Sequence, residues 1–248
     1  MIDIHAHILP GMDDGAEDLQ DALEIAKIAV ENGITAMVAT PHCNIPGIYD
    51  NYFDKRYVDT YKRVCKVLET HEIPLKLLPG MEVFATPDLP ELLKTGKVIT
   101  INGSKYLLVE FHFDEDLRYV ESILQSILSA GLQPIVAHAE RYECIQKNLF
   151  ILEKWKKSGV LIQVNKGSLI GRFGRFSYNA AHSMMQKRQV DVIASDCHSP
   201  FHRTPVMMDV YEKLQKNYPR EYLELLFNEN PKRICSNQDV LRIDSSGI

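Results

Sequence analysis

Two histidines near the amino terminus have the spacing of a metal site. His5 and His7 stand at the end of the apolar segment 2–5, and side chains two positions apart on a β-strand point to the same face. Two imidazoles can therefore bind one ion while Ile2 and Ile4 face the packing side. Paired histidines are also common on protein surfaces, so this spacing indicates a metal site only together with further ligands.

Two carboxylates follow in the next loop. Asp13 and Asp14 precede Gly15, and carboxylate oxygens are hard ligands that suit divalent ions. A carboxylate at this place can instead cap the following helix or stabilise a turn. We expect that one of the two aspartates serves each role.

Candidate ligands recur at the ends of other apolar segments. Each one alone has an ordinary explanation, such as a helix cap or a solvated loop. In parallel barrels, however, the carboxyl ends of the strands form one face where catalytic groups gather, so we expect these side chains to converge. They are His42 after ATP, Glu82 after LLPGM, Glu110 after YLLV, His138 after PIVA, and Asp196 and His198 after DVIAS.

So many nitrogen and oxygen ligands exceed the needs of one tetrahedral zinc ion. They fit two or three ions that share carboxylate bridges, and the mixed ligand set accepts Mn, Fe, Zn or Co, with Mg as a further candidate. Such clusters activate a water as hydroxide and stabilise both oxygens of an in-line displacement. Hydrolysis of a phosphate ester is the reaction that benefits most.

Two arginines strengthen the phosphate interpretation. Arg141 follows His138 by three residues and Arg203 follows His198 by five. A guanidinium at each end of a pocket can bind phosphate oxygens through two parallel hydrogen bonds. Each arginine taken alone is equally well explained by a surface ion pair.

The elements that must position these residues alternate along the chain. Helical spacing appears near 19–30, 53–70, 117–130, 148–158, 176–189 and 206–227, while 40–52 and 165–176 resemble long loops. Alternating strands and helices predict a parallel sheet, and seven strands favour a barrel over an open sheet. We expect one domain over residues 1–248 with a loose tail, DSSGI, from about residue 240. The predicted strands are Ile2–His5, Thr35–Ala39, Leu75–Pro79, Tyr106–Phe111, Pro134–Ala137, Leu161–Val164 and Asp191–Ala194.

Composition argues against several classes of partner. The 248 residues carry a net charge of −5, which disfavours a nucleic-acid or membrane footprint. No apolar run reaches the roughly 20 residues of a membrane span, and the amino terminus lacks the pattern of a signal peptide. The five cysteines lack metal-type spacing and favour reduced thiols in the cytoplasm.

A second phosphatase motif competes for the same region. Cys197 and Arg203 have the C-x5-R spacing of cysteine-dependent tyrosine phosphatases, in which a thiolate attacks phosphorus. The intervening loop lacks glycines that would turn backbone N–H groups inward, and Pro200 has no N–H to donate. A thiolate mechanism would also leave the metal ligands without a role. We interpret Cys197 as a bystander that points to the opposite face from its neighbours.

Taken together, the segments IDIHAHILPGMDDG, ATPH, LPGMEV, YLLVEF, PIVAHAER, GSLIGRFG, VIASDCH and NPKRI resemble the polymerase-and-histidinol-phosphatase (PHP) superfamily. More narrowly, they resemble the bacterial PHP-type protein tyrosine phosphatases found with capsule and exopolysaccharide genes. The resemblance runs from residue 2 to about 233. It implies a distorted seven-stranded (β/α) barrel of the TIM-like PHP fold with a trinuclear site, usually dependent on Mn²⁺.

The resemblance also implies how the ligands are shared, and every ligand position is filled. One ion would be held by His5, His7, Glu82 and Asp196, and Glu82 would bridge to a second ion with Glu110 and His138. The third would take His42, His198 and Asp14, with Glu110 as an additional shared ligand. Arg141 and Arg203 match the family's phosphate-contacting arginines.

The implied substrate is phosphotyrosine in the tail of a bacterial tyrosine kinase that controls polysaccharide export. The alternatives are a small-molecule phosphatase, for example for histidinol phosphate, a PHP exonuclease, and a non-catalytic metal-binding scaffold. The complete set of candidate ligands and the two arginines argue against a scaffold. The net negative charge argues against nucleic acid as the substrate. The loop 44–53, with Ile45, Ile48 and Tyr49, can form a wall for a tyrosyl ring or simply pack onto the barrel.

Overall fold

Parallel β-strands form the centre of the molecule in the computed structural model, which describes residues 1–243. All of the strand pairs in this part of the chain are parallel. Hydrogen bonds join them in the orders β1-β2-β4 and β3-β5-β6-β7-β8-β9. The strands are β1 (Ile2–Ala6), β2 (Ala36–Ala39), β3 (His42–Cys43), β4 (Lys76–Pro79), β5 (Glu82–Phe84), β6 (Tyr106–Glu110), β7 (Gln133–Val136), β8 (Leu161–Asn165) and β9 (Val192–Ala194).

The sheet curls so that its first and last strands meet. Beyond the end of β9, the Asp196 N–H donates to the carbonyl of His5 at 2.9 Å, and the His7 N–H donates to the carbonyl of Cys197 at 2.8 Å. The two short strands β3 and β5 continue the directions of β2 and β4 after breaks of two residues. The predicted α/β class with a curled parallel sheet is therefore confirmed.

Helices lie between successive strands. The first begins at its N-cap Asp18, whose carboxylate accepts from the N–H groups of Gln20 and Asp21, and it buries an apolar stripe as its spacing predicts. No helix within residues 1–243 is both long and apolar enough to span a bilayer. The helices are α1 (Leu19–Glu31), α2 (Lys55–Thr70), α3 (Leu89–Lys94), α4 (Leu117–Ser129), α5 (Glu143–Lys147), α6 (Ile151–Ser158), α7 (Lys166–Leu169), α8 (Gly174–Gln186), α9 (Met208–Leu214), α10 (Arg220–Glu224) and α11 (Asn230–Cys235).

Two apolar cores hold the layers together. The larger one lies between the sheet and the helices. The second receives residues from seven strands, all except β3 and β5, and Ile101 and Ile234 pack into it as well. Contributions from strands all around the curled sheet indicate that this second core fills the space inside it. Its strand residues are Ile4, Val38, Leu78, Tyr106, Leu108, Ile135, Leu161, Val192 and Ala194.

All seven predicted strands are present, with ends that differ by one residue at most. The predicted loop 165–176 is partly wrong, because it contains α7 and the start of α8. The helical stretch 206–227 is divided between α9 and α10, since Pro219 cannot continue a helix. Arg242, in the region expected to be loose, donates to Asp191 at 2.9 Å, whereas DSSGI lies outside the described residues.

Candidate metal centre

The predicted ligands converge at the carboxyl-end edge of the sheet. Their ligand atoms form three overlapping groups in which all atoms lie within 4.8 Å of one another. His138 joins the same cluster through Glu82, whose Oε1 is 2.9 Å from Nε2 of His138. The groups are His5, His7 and Asp196; His42, Glu82 and Glu110; and His7, Asp14, His42 and His198.

The pair at the end of β1 faces one point, as its spacing predicts. The two Nε2 atoms of His5 and His7 are 3.2 Å apart. Glu82 Oε2 is 3.1 Å from the first and 3.3 Å from the second, and Asp196 Oδ1 is 3.5 Å from both. All four side chains are buried.

Glu82 lies at the centre of the cluster, and His42 and Glu110 complete its second side. The Nδ1 atom of His42 is 3.1 Å from Glu82 Oε2 and 2.7 Å from Glu110 Oε1. His138 also approaches Glu110, with 3.8 Å between Nε2 and Oε2. Since each Glu82 oxygen faces different imidazoles, this carboxylate can bridge two positions.

Asp14 reaches the cluster from the loop before α1. Its Oδ1 is 3.5 Å from Nε2 of His42 and 3.4 Å from Nε2 of His198. About half of its side chain is exposed, unlike the other acids of the cluster. Asp14 therefore closes the solvent-facing side.

The electrostatics of the cluster fit divalent cations. Burial opposes ionisation of Glu82, yet His5 and His42 hold the pKa of its carboxyl well below the ordinary value. Burial also opposes protonation of His42, but Glu82 and Glu110 raise the pKa of its imidazole to about 10. The Glu82 Oε2 and His198 Nε2 atoms are buried without a hydrogen-bond partner. Buried carboxylates that converge on one point, and unpaired lone pairs beside them, are stabilised by a positive charge there. The predicted metal would supply that charge.

Residues behind the cluster orient its imidazoles. Asp13 Oδ2 accepts from His7 Nδ1 at 2.7 Å and from the His42 N–H at 2.8 Å, so Asp13 supports ligands instead of capping α1. Gln163 Oε1 lies 3.1 Å from His5 Nδ1 and accepts from the His138 N–H at 2.9 Å. These contacts leave both Nε2 atoms of the first pair free to bind metal. Sequence analysis missed Gln163, because only its polar type inside a buried strand distinguishes it.

The backbone takes unusual conformations at the cluster. The φ angles of His138, Asp196 and Arg203 are +34°, +51° and +50°. Non-glycine residues rarely adopt this left-handed region, and they concentrate at functional sites. These three residues lie in the two loops that follow β7 and β9, and the strained backbone there carries their side chains to the cleft.

A cleft of about 340 Å³ opens above the ligands. Arg141 and Arg203 both line it, together with Ile45, Ile48 and Phe113. Arg203 also forms an ion pair with Oδ2 of Asp196. The two arginines therefore lie beside the candidate metal ligands, an arrangement that suits the predicted phosphate pocket.

The loop 44–53 lines the cleft with some of its side chains and packs onto the rest of the chain with others. Ile45 and Ile48 line the cleft, and Tyr49 stacks on the His42 ring at 5.7 Å. Tyr52 instead packs the loop, because its hydroxyl donates to Asn44 at 3.0 Å. His112 lines the cleft against Phe84 but is in none of the three ligand groups.

Cys197 has the environment of a core residue. Its side chain is fully buried, and burial raises the pKa of its thiol to about 12. A reactive thiolate requires a lowered pKa and access to substrate. The structure therefore supports the interpretation of the C-x5-R spacing as coincidental.

Comparison with known proteins agrees with this geometry. The model of the family described as capsular polysaccharide synthesis, CpsB/CapC, matches residues 1–236. Tyrosine-protein phosphatase YwqE of Bacillus subtilis (strain 168) is 34% identical over 242 residues, which cover 98% of this chain and 94% of that protein. Tyrosine-protein phosphatase CpsB of Streptococcus pneumoniae is 28% identical, with 96% and 99% covered.

A solved structure extends the agreement to three dimensions. It comes from work on YwqE from Bacillus subtilis and CpsB from Streptococcus pneumoniae, described there as unique metal-dependent tyrosine phosphatases. It matches with a TM-score of 0.91 and 34% identity, covering 98% of this chain and 97% of that one. The fold and the cluster of candidate ligands together place the chain in the class of metal-dependent α/β hydrolases. The chain belongs to the CpsB/CapC family, and the predicted family and enzyme class are thereby confirmed.

Proposed function

We propose that this chain is a metal-dependent protein tyrosine phosphatase that hydrolyses phosphotyrosine monoesters. The observation that carries the proposal is the cleft in which Arg141 and Arg203 stand beside the buried ligand cluster. The proposal includes up to three divalent ions, with Mn²⁺ foremost. It also includes a single domain with a distorted (β/α)7 barrel, in which β3 and β5 count as continuations of β2 and β4.

The ligands of the proposed site are those that the sequence predicts. One ion would be held by His5, His7, Asp196 and Glu82. A second ion would be held by Glu110 and His138, and Glu82 would be shared with it. His42, His198 and Asp14 would hold the third. When bound, the ions would lower the pKa of a water molecule and place positive charge beside the phosphoryl oxygens.

The chain itself supplies binding and orientation. Arg141 and Arg203 would bind non-bridging phosphate oxygens, because their planar guanidinium groups match the geometry of the anion. Ile45, Ile48 and Phe113 offer apolar surface to the tyrosyl ring on the same cleft. Asp13 and Gln163 hold the ring orientations of His7 and His5 while the reaction proceeds.

A phosphotyrosine on a flexible protein segment is the substrate that we favour. Ile48 on the wall of the cleft is 68% exposed, so the cleft is open enough to admit a side chain that remains attached to a protein. We propose the tail of a bacterial tyrosine kinase in capsule or exopolysaccharide synthesis, with the reaction in the cytoplasm. The five free cysteines suit such a reducing compartment.

The test compares metal-stripped and Mn²⁺-restored protein on a phosphotyrosine peptide and on histidinol phosphate. We expect peptide hydrolysis to disappear on chelation, to return with Mn²⁺, and to exceed histidinol phosphate hydrolysis in kcat/KM. Glu82→Gln should abolish activity, whereas Glu143→Gln on the exposed face of α5 should not. Preference for histidinol phosphate would favour the small-molecule alternative. No hydrolysis with any divalent ion would contradict the proposal and favour a scaffold.

A further inference from the structure

Arg141 is held by two aromatic rings instead of by a carboxylate. Its Cζ atom lies 4.1 Å from the centre of the Phe113 ring and 4.5 Å from the centre of the Phe173 ring. Within residues 1–243, no carboxylate oxygen comes within ion-pair distance of the Arg141 guanidinium, whereas Arg203 is paired with Asp196. We call Phe113 and Phe173 the aromatic clamp.

This kind of contact leaves the arginine free to bind an anion. An ion pair would use the N–H donors of the guanidinium, but a ring contacts only its flat face. The five donors of Arg141 therefore remain available at the edge of the plane, inside the cleft. An oxyanion can take two of them at once.

Phe173 also connects the two arginines. Its ring centre is 5.6 Å from Cζ of Arg203, so one ring lies against both guanidinium groups. Two cations near each other repel, and an aromatic ring whose negative face is near both of them reduces that cost. Phe173 thus fixes the spacing of the pair as well as the plane of Arg141.

The position of Phe173 depends on a glycine in the preceding helix. A Cβ atom at Gly167 would lie 2.5 Å from Cε2 of Phe173, closer than any real contact allows. Only glycine at this position lets the ring reach the arginines. The segment GSLIGRFG, whose role the ligand cluster does not explain, therefore contains both the ring and the space that the ring occupies.

We propose that Phe113 and Phe173 are positioning residues that hold Arg141, and through Phe173 also Arg203, in the orientation that binds the phosphoryl group. This inference rests on the proposed function, which supplies the phosphate. It assigns part of the substrate affinity to two residues that touch neither metal nor phosphate.

The experiment uses Mn²⁺-loaded full chain and measures two quantities, the affinity for inorganic phosphate by calorimetry and the KM and kcat for a phosphotyrosine peptide. Phe173→Leu removes the ring face at similar volume. We expect it to weaken phosphate binding and to raise KM by about five- to tenfold, with a smaller fall in kcat. Phe173→Tyr keeps the ring face and should restore both values. Phe176→Leu, in the first turn of α8 at a side chain 77% exposed, should change neither.

A double variant separates positioning from general damage. In the Arg141→Ala background, Phe173→Leu can weaken phosphate binding only through Arg203. The loss of affinity in the double variant should therefore be clearly smaller than the sum of the losses in the two single variants. If Phe173→Leu does not fold, Phe113→Leu, at a side chain 40% exposed, tests the same clamp through its affinity for inorganic phosphate, which has no tyrosyl ring to contact Phe113. Unchanged phosphate affinity and KM in the folded variant, or fully additive losses, would overturn the inference. A wild-type chain that binds phosphate without hydrolysing the peptide would contradict the proposed function and still test the clamp.

Discussion

Asp13 and His7 are joined by a hydrogen bond of 2.7 Å between Oδ2 and Nδ1, with both side chains fully buried. Although burial opposes protonation of His7, Asp13 raises the pKa of its imidazole well above the usual value. The contact also fixes which ring nitrogen faces the other ligands, because Nδ1 is occupied and Nε2 points into the cluster. A carboxylate in this place makes the imidazole a stronger ligand.

We therefore expect Asp13→Asn to lower metal affinity about 10- to 100-fold. An amide accepts a weaker hydrogen bond than a carboxylate and does not favour positive charge on the ring. The measurement is a competition titration with a chelator of known affinity. Asp18→Asn is the matched control, because asparagine remains a good N-cap for α1. Equal metal affinity in both variants would contradict a supporting role for Asp13.

Gly15 provides the close approach that brings Asp13 and Asp14 to the cluster. A Cβ atom there would lie 2.2 Å from the backbone oxygen of His7. We expect Gly15→Ala to destabilise the fold by about 2 kcal/mol or more and to reduce metal binding, because the loop must move away from β1.

Urea unfolding and metal titration check this prediction. Gly131→Ala is the control, since its φ of +82° costs strain but no atom lies within 4 Å of the added Cβ. The free energy of unfolding of Gly131→Ala should fall by only about 1 kcal/mol, and its metal affinity should stay unchanged. A Gly15→Ala variant that behaves like the control would show that the loop adapts at little cost.

Cys197→Ala should retain most of the phosphatase activity, because the thiol is buried with a pKa near 12 and does not face the cleft. The same burial predicts slow alkylation of Cys43, Cys197 and Cys235 in the folded protein. The partly exposed Cys65 and Cys144 should react first. Mass spectrometry after timed alkylation gives the order. Loss of activity on Cys197→Ala with metal still bound would restore the thiolate mechanism.

Glu140 should make the stability of the metal-stripped protein fall as the pH rises. Burial raises the pKa of its carboxyl to about 7 from 4.5. The folded chain holds this proton more tightly than the unfolded chain, so the contribution of Glu140 to stability is greatest below pH 4.5 and is lost as the pH rises to about 7. The full loss corresponds to roughly 3 kcal/mol.

Glu140→Gln should remove that decline, since an amide does not titrate. The measurement is the free energy of unfolding in urea at several pH values between 5 and 8, with Glu143→Gln as the exposed control. Equal slopes in Glu140→Gln and wild type would show that Glu140 is not the group responsible.

The sequence by itself determined the strands and the candidate ligands at their ends. Apolar segments such as Tyr106–Glu110 are short and bounded by helices with clear spacing, so local pattern identifies them. Parallel strands end at one edge, and this rule alone predicts that His5, Glu110 and His138 meet. No knowledge of the order of the strands in the sheet is required.

Only the tertiary structure decided which residues support those ligands. Gln163 contacts His5 although the two residues are 158 positions apart in sequence, because the curled sheet brings β8 close to the end of β1. Phe173 contacts two arginines that lie 62 residues apart in sequence, and this requires the space that Gly167 leaves. Such contacts depend on the order and curvature of the strands, which arise from packing over the whole chain. Ligand identity follows local pattern, whereas ligand orientation follows long-range packing.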